Sequence, residues 1–594
     1  MSLIRTLRCV VLFAAVAPSV LGSPAGAATD PPPAISIPTL PVSEIKPGMT
    51  GTGYSVFSGT KRDTFAVSIV GVLRRYKPGS DLILARASNE FLEKTGIIAG
   101  MSGSPVYVDG KLIGAVAYAW PFLKEPLAGI TPIGEMLSVL PGKEGPPPSA
   151  EDRFGSLGAP PAPSDDPGGA RPIATPIALA GFTPAAVRYL EPWLAERGFV
   201  ASLGGAKEPG GSCDSLLPGS AIGVELVRGD WSAAAIGTVT YRDKDRILAF
   251  GHPFMSMGWV DFPITAATIH TIMVSSQISN KVASPTATCG ALVADREAGI
   301  AGTVGPTPAM VPVSVSIEGT GGRARRYRFE IARSRYLTPG LLSAVVVSSI
   351  SDELFEAGVS TIRYDVAYSM NGGKRTIHQG DLFLTTSPVS GVGEAVSQAL
   401  TVLLGDRFRP SRLDSASVRV SAAEGIDEAA VVGIRVTPPT AAPGDSVDAE
   451  VTLRRPAKPL ETRHVRIRIP PSTPDGDVTI RVCDGGETEK WEMGRVPDRY
   501  KPQTFDQLAD IIETTRRSDR LYVQVYREAG GAVVDGGEIS QAPRSVLSVI
   551  GASMKSGDAS ETKGATLAEV SIPMGRVVRG CESATVSVVS DPRR

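Results

Sequence analysis

Apolar and polar residues alternate with a period of two along much of this chain, which predicts strands rather than helices. Phe65, Val67 and Ile69 alternate with smaller or polar neighbours. Val106-Tyr107-Val108 and the run from Leu112 to Trp120 flank Asp109-Gly110, a pair suited to a two-residue hairpin turn. A second hairpin is predicted where Gly237 to Tyr241 and Arg246 to Phe250 flank Asp243-Lys244-Asp245, and it delivers Gly251-His252-Pro253 at its end. Val313 to Ile317 and Tyr327 to Ile331 continue the strand pattern. From about Ser415 onward, Val418-Arg419-Val420, Ile434-Arg435-Val436, Val451-Thr452-Leu453, Val465 to Ile469 and Val478 to Val482 predict a β-sandwich of short strands. Helical spacing is rarer. It appears over residues 184–194, in Val392, Val396, Leu400 and Leu403, and after Thr504, where Gln507 completes a capping box and Phe505, Leu508 and Ile512 share a face.

The length of 594 residues exceeds one hydrophobic core and suggests about four domains. Abundant glycine (64) and proline (49) with only 6% aromatics favour turn-rich β structure over helical bundles. The N-terminus carries Arg5 and Arg8, an apolar run from Cys9 to Leu21, and small residues ending Ala25-Gly26-Ala27-Ala28, the pattern of a signal peptide. The apolar run is too short, and too interrupted by Pro18, to span a membrane, and no later stretch is long enough. An exported protein, periplasmic or extracellular, with no transmembrane segment in the mature chain is expected. Two stretches lack an apolar period: a Pro-rich leader at 29–41, and a segment at 141–176 containing Pro146-Pro147-Pro148 and Gly168-Gly169. The expected division is a signal peptide (1–28), that leader, a folded segment (42–140), a linker (141–176), a second folded segment (177–320), a mixed α/β extension (321–412), a β-sandwich-like domain (413–487) and a C-terminal α+β region (488–594).

Lys plus Arg (60) balances Asp plus Glu (61), and no basic stripe with interleaved aromatics stands out, which argues against a nucleic-acid partner. Four cysteines remain after the signal peptide: Cys213, Cys289, Cys483 and Cys581. None has the close spacing of a zinc site, so neither a metal nor another cofactor is expected, and an oxidising compartment favours disulfides. Grouping along the chain favours Cys213 with Cys289 and Cys483 with Cys581, although the other pairings stay open.

The chemistry concentrates in Gly100-Met101-Ser102-Gly103-Ser104-Pro105, directly before the Asp109-Gly110 hairpin. A serine hydroxyl is a poor nucleophile and needs a base to take its proton and N–H donors to hold the developing oxyanion. Gly100 permits a tight turn in which its own N–H and that of Ser102 form the oxyanion hole, with Ser102 the nucleophile and Ser104 the fallback. A strand, a glycine-containing turn and a second strand after the loop match the pattern of chymotrypsin-like serine peptidases. Only four histidines are present. His464 precedes a sandwich strand, His378 lies beside Lys374 and Arg375, and His270 ends an apolar run and reads as a core histidine. His252 alone is delivered by an apolar strand to a Gly-His-Pro corner, where an imidazole can act as general base.

Thr95 to Ala99 before the loop, Gly110 to Val116 after it, and the pair Gly237-Thr238-Val239-Thr240 and Ala249-Phe250-Gly251-His252 together resemble the serine peptidases typified by stage IV sporulation protein B. The resemblance runs over Phe65 to Trp120 and Gly237 to about Ile317. It implies a mainly β fold: a chymotrypsin-like double β-barrel built from a serine half (42–140) and a histidine half (177–320), plus the C-terminal sandwich and a few helices. It also implies Ser102 as nucleophile and His252 as general base; the sequence departs from the family in order, since there the histidine half precedes the serine half and here Ser102 comes first, as in a permuted chain. The family places an orienting acid shortly before the nucleophile, where this chain reads Ala87-Ser88-Asn89-Glu90. Asn89, Glu90, Asp81 and Asp261 are the candidates for that role. The function expected is an exported serine endopeptidase acting on a protein or peptide, with self-cleavage and a part in envelope processing or signalling among the expectations. Substrate would lie along an exposed strand near Ala117-Tyr118-Ala119. The alternative is a catalytically inactive peptidase fold serving as an envelope binding or scaffold module, motivated by the missing acid.

Overall fold

Alternation of buried and exposed residues organises the first folded segment. In a computed structural model, which describes residues 37–590 apart from 121–122, 124, 142–168, 320–323, 354–358, 387, 406–407, 535–536, 540–544 and 547–558, Phe65, Val67 and Ile69 point inward while their neighbours face out. The expected signal peptide, most of the leader and most of the linker lie outside the described residues. Six strands are formed here: β1 (Thr50–Ser55), β2 (Asp63–Lys77), β3 (Ser80–Ser88), β4 (Ser104–Val108), β5 (Lys111–Ala119) and β6 (Leu127–Pro132). They pair in the order β1-β2-β3-β6-β5-β4, and β4 returns to β1, closing a barrel. The β4–β5 turn is Asp109-Gly110, with φ of 48° and 74°, the left-handed pair that a type I′ hairpin requires.

Three strands connect this barrel to the next: β7 (Arg171–Pro172), β8 (Thr175–Ala180) and β9 (Phe199–Leu203). The second barrel comprises β10 (Ala221–Gly229), β11 (Ser232–Asp243), β12 (Arg246–Ala249), β13 (Gly258–Met273), β14 (Asn280–Arg296) and β15 (Gly299–Val304). Its order, β10-β11-β12-β15-β14-β13 and back to β10, repeats the connectivity of the first. The double barrel expected from the sequence is therefore present, its two rings drawn from separate segments of the chain. Cys213 and Cys289 form a disulfide that ties the approach to β10 onto β14.

Beyond the second barrel, the sheet continues through strand Ala324–Ile331 to Val311–Glu318, Leu413–Glu424, Ser360–Met370 and Arg375–Thr385. Helices Thr338–Glu353 and Pro388–Leu404 pack together beside this extension, with Val392, Val396, Leu400 and Leu403 fully buried, as their 3.6-residue spacing predicts. The C-terminal sandwich differs from the expected division. Strand Leu413–Glu424 belongs to the central sheet. Strand Gly476–Cys483 lies between Arg520–Val534 and Cys581–Val588, and a Cys483–Cys581 disulfide joins it to the latter. Pairing thus runs across the break expected at 487/488. Alternation shows which residues of a strand turn inward, not which distant strand it will pair with. Among the described residues no helix is long and apolar enough to cross a membrane.

Candidate active site

The serine loop is built from glycines that bring two barrels into contact. Gly100 and Gly103 have φ of +95° and +94°, a region that L-residues rarely adopt. Between them Ser102 is fully buried. The loop leans on β11 of the second barrel: Thr238 N–H donates to Ser102 O (2.9 Å), Thr238 Oγ1 to Gly100 O (2.9 Å) and Thr240 Oγ1 to Gly103 O (2.7 Å). The approach is close enough that a Cβ on Gly103 would stand 2.0 Å from Thr238 O and 2.5 Å from Phe250 N. Ser104 Oγ donates to Met101 O (2.7 Å) inside the loop, whereas Ser102 Oγ is without a partner among the described residues. The hydroxyl left available is that of Ser102, not of the fallback Ser104.

The histidine comes from the other barrel. After β12, Phe250 and Gly251 turn the chain with φ of 70° and 71°, and Thr131 Oγ1 of the first barrel donates to Gly251 O (2.5 Å). A left-handed phenylalanine is costly, and here it sits one turn from a candidate general base. His252 Nδ1 lies 2.8 Å from Pro253 O. A carbonyl can only accept, so Nδ1 carries the proton and Nε2 presents a lone pair. Nε2, like Ser102 Oγ, is buried without a partner among the described residues, so the two are not hydrogen-bonded to each other. Burial drives the His252 pKa down from 6.5 to about 4, against the Pro253 carbonyl, which favours the charged ring.

None of the four acids and amides expected to orient the imidazole does so. Asp81 accepts from Arg74 Nη1 and Arg75 N (both 2.8 Å), Asn89 Oδ1 accepts from Leu92 N (2.8 Å), Glu90 pairs with Lys94 at the surface, and Asp261 is an exposed residue of β13. Asp81, Asn89 and Glu90 each serve their own turn or surface in the hairpin and short helix before the nucleophile. The buried carboxylate near the histidine is Asp295, at the end of β14, a residue that no local sequence signal singles out. It accepts from the N–H groups of Phe254 (2.7 Å), Met255 (2.7 Å) and Met257 (3.0 Å), and so fixes the loop that follows His252 rather than the ring. Desolvation raises its pKa from 3.8 to about 6, against those donors.

A second unforeseen residue lies under the serine loop. Lys281 on β14 is fully buried, and its ammonium reaches Ser55 Oγ (3.0 Å) and Thr238 Oγ1 (3.4 Å), the hydroxyl that also holds Gly100 O. Desolvation lowers its pKa from 10.5 to about 7. In the sequence Lys281 is one polar residue among several in β14, and alternation alone reads it as a solvated position. Of the other histidines, His270 is exposed on β13 and bonds Ser284 Oγ (2.7 Å) instead of filling the core, and His464 pairs with Asp448 at the surface.

The strand expected to receive substrate is likewise placed beside the histidine, but it is not an open edge. A Cβ on Gly251 would stand 3.0 Å from Ala117 Cβ. Tyr118 and Ala119 pair antiparallel with Pro172 and Arg171 of β7. The linker was expected to run to residue 176, yet its last residues are strand. A proline at a sheet edge needs no ladder donor, so the Pro-rich composition did not exclude pairing.

His252 and Asp295 make pH-dependent contributions of opposite sign. His252 is neutral in the fold, so its contribution to stability is complete above pH 6.5 and is lost as pH falls to about 4, by about 3 kcal/mol. Asp295 has a raised pKa, so its protonated form is favoured, and its contribution grows as pH falls from about 6 to 3.8, by a similar amount of about 3 kcal/mol. Between pH 7 and pH 4.5 these two contributions nearly offset each other. His252→Asn removes the first, so in urea unfolding its stability relative to wild type should rise at pH 4.5.

Two closed six-stranded barrels, with the serine loop and the histidine turn meeting at their interface, define a double-barrel architecture. Residues 21–137, which include the first barrel and Ser102, match the family described as SpoIVB peptidase S55, in support of the serine-peptidase resemblance carried by the serine half. The match ends before β7 and does not include His252. No curated protein and no solved structure matches the chain.

Proposed function

We propose that the protein is an exported serine endopeptidase in which Ser102 is the nucleophile and His252 the general base. The observation that carries this reading is the convergence of the two segments: Ser102 O accepts from Thr238 N, and Gly103 packs against Phe250, two residues before His252. In this reaction Ser102 Oγ attacks the scissile carbonyl while His252 Nε2 takes its proton, and the oxyanion is held by the N–H groups of Gly100 and Ser102. His252 then protonates the departing amine, and water, activated by the same imidazole, releases the acyl group and restores Ser102. Pro253 O replaces a carboxylate in fixing the tautomer, and Asp295 holds the loop that presents the ring. The fully buried Ser102 and His252 require the cleft to open or tighten before their hydrogen bond forms, as catalytic pairs in unliganded enzymes often do. A polypeptide substrate is favoured by the strand Ala117–Ala119 beside the histidine; self-cleavage and envelope processing or signalling are roles consistent with such an enzyme.

The test is hydrolysis of an unfolded protein by the exported form. Activity should be lost by at least about 10³-fold in Ser102→Ala, as expected for removal of a covalent nucleophile, and kept in Ser104→Ala. The separated Ser102 Oγ and His252 Nε2 favour one rival, an inactive fold that binds partners. Hydrolysis no higher than background in wild type and in Ser102→Ala alike would support that rival.

A further inference from the structure

Beside the histidine, β5 outruns β4: residues up to Val116 pair with β4, whereas Ala117–Ala119 leave one backbone side free of the barrel, and the chain itself occupies that side. Tyr118 and Ala119 pair with Pro172 and Arg171, Ile173 N–H donates to Ala117 O (2.9 Å), and Tyr76 Oη donates to Ala170 O (2.8 Å). Ala170 and Ile173 are buried, and Ile173 joins the apolar cluster that contains Met101 and Val116 of the serine loop and its neighbouring strand. The Ile173 carbonyl lies close enough to the His252 ring to favour its charged form, without meeting hydrogen-bond geometry. Three residues beyond, Pro176 packs at Gly100: a Cβ there would stand 3.3 Å from Pro176 Cγ. Residues 170–176 thus pass along the substrate edge, past the histidine and over the oxyanion loop. Beside them Lys77 of the first barrel bonds Tyr118 Oη (3.3 Å) and pairs with Glu297 of the second (2.5 Å), linking the two barrels next to the strand.

This is how an extended peptide binds by strand addition, with main-chain hydrogen bonds for affinity and alternate side chains in pockets for specificity. We propose that Ala170–Ile173 is a built-in occupant of the peptide groove, which keeps Ser102 and His252 shut off until it is displaced. The substrate class follows from the occupant: an extended segment antiparallel to Ala117–Ala119 with an aliphatic side chain in the pocket that Ile173 fills. Tethering explains why a short strand with a proline holds its place, since an attached ligand acts at millimolar effective concentration. The inference rests on the peptidase reading for its consequence but not for the groove itself.

Two measurements on the full mature chain separate the two claims. A fluorescent peptide of sequence Ala-Arg-Pro-Ile is titrated by anisotropy into wild type and into Ile173→Asp, which cannot bury its new carboxylate. The same proteins are timed for labelling of Ser102 by a fluorophosphonate. The variant should bind the peptide at least about tenfold more tightly and label at least about tenfold faster than wild type, a difference of about 1.4 kcal/mol. Tyr76→Phe, which removes only the hydrogen bond to Ala170 O, should label faster by a smaller factor and serves if Ile173→Asp does not fold. Equal peptide binding and equal labelling rates across wild type and both variants would overturn the occupant. Tighter peptide binding without any labelling would keep the groove and sink the peptidase reading instead.

Discussion

Gly103→Ala is expected to disable the protein while leaving its neighbouring hairpin intact. At φ +94° an L-residue pays about 1–2 kcal/mol of backbone strain. The larger effect is contact: the new Cβ would meet Thr238 O at 2.0 Å and Phe250 N at 2.5 Å, backbone atoms that cannot swing aside. The serine loop must therefore lift from β11, giving up the bonds from Thr238 N to Ser102 O and from Thr240 Oγ1 to Gly103 O. A total cost of about 4 kcal/mol or more places the variant among the most damaging single changes. Because the lift moves Ser102 away from the barrel that carries His252, hydrolysis should fall on the order of 100-fold, the cost of about an ångström of misplacement. Gly110→Ala is the control. It has a similar φ of +74° but nothing within 4 Å of the added Cβ, so it should show the strain alone, about 1–2 kcal/mol, and near-normal activity. Thermal unfolding and hydrolysis rates of the two variants side by side check this. Equal effects would mean that the barrel contact at Gly103 contributes nothing.

Asp295→Ala is expected to have the second large effect. Its carboxylate satisfies three buried N–H groups at Phe254, Met255 and Met257, and each orphaned donor costs about 1–3 kcal/mol. The raised pKa shows that the carboxylate is itself poorly solvated, so removing it returns part of that cost. A net destabilisation of about 3–5 kcal/mol is expected. As a positioning residue, Asp295 should act on the turnover rate through His252 more than on substrate affinity: kcat falls about 10- to 100-fold with KM little changed. Asp295→Asn, which retains one acceptor oxygen, should recover part of both. Unchanged kcat in Asp295→Ala with a lowered melting temperature would reduce Asp295 to a structural role.

Local signals in the sequence suffice where the deciding physics is local. The Asp109-Gly110 turn, the hairpin that ends at His252, the helix Pro184–Ala195 with Thr183 accepting from Ala186 N, and the buried face of Val392, Val396, Leu400 and Leu403 all depend on residues within one or two turns of each other. Thr504 caps its helix as expected, although Gln507 reaches back to Gln503 N rather than to Thr504 itself. Features set by distant partners are not legible in this way. Asp295 reads as one more polar position at the end of a strand until its three donors, some 40 residues earlier, are brought beside it. Lys281 reads as solvated until both barrels close over it. The segment 170–173 has linker composition and becomes a strand where the end of β5, beyond its pairing with β4, offers a free backbone side. The family pattern points to an orienting acid near the nucleophile, whereas the buried carboxylate behind the histidine loop comes from the other barrel.

The most direct test of a Ser102–His252 peptidase held shut by its own strand is to map fluorophosphonate attachment by mass spectrometry. Mature wild type and Ile173→Asp are compared, with Ser102→Ala and His252→Ala alongside. The adduct is expected on Ser102 in both of the first two proteins, slowly in wild type and faster in Ile173→Asp, and is expected to be absent from Ser102→Ala. In His252→Ala the rate should be lowered by at least about 100-fold, the scale of general-base catalysis. Absence of an adduct on Ser102 in both wild type and Ile173→Asp, or attachment at the same rate with and without His252, would contradict that mechanism.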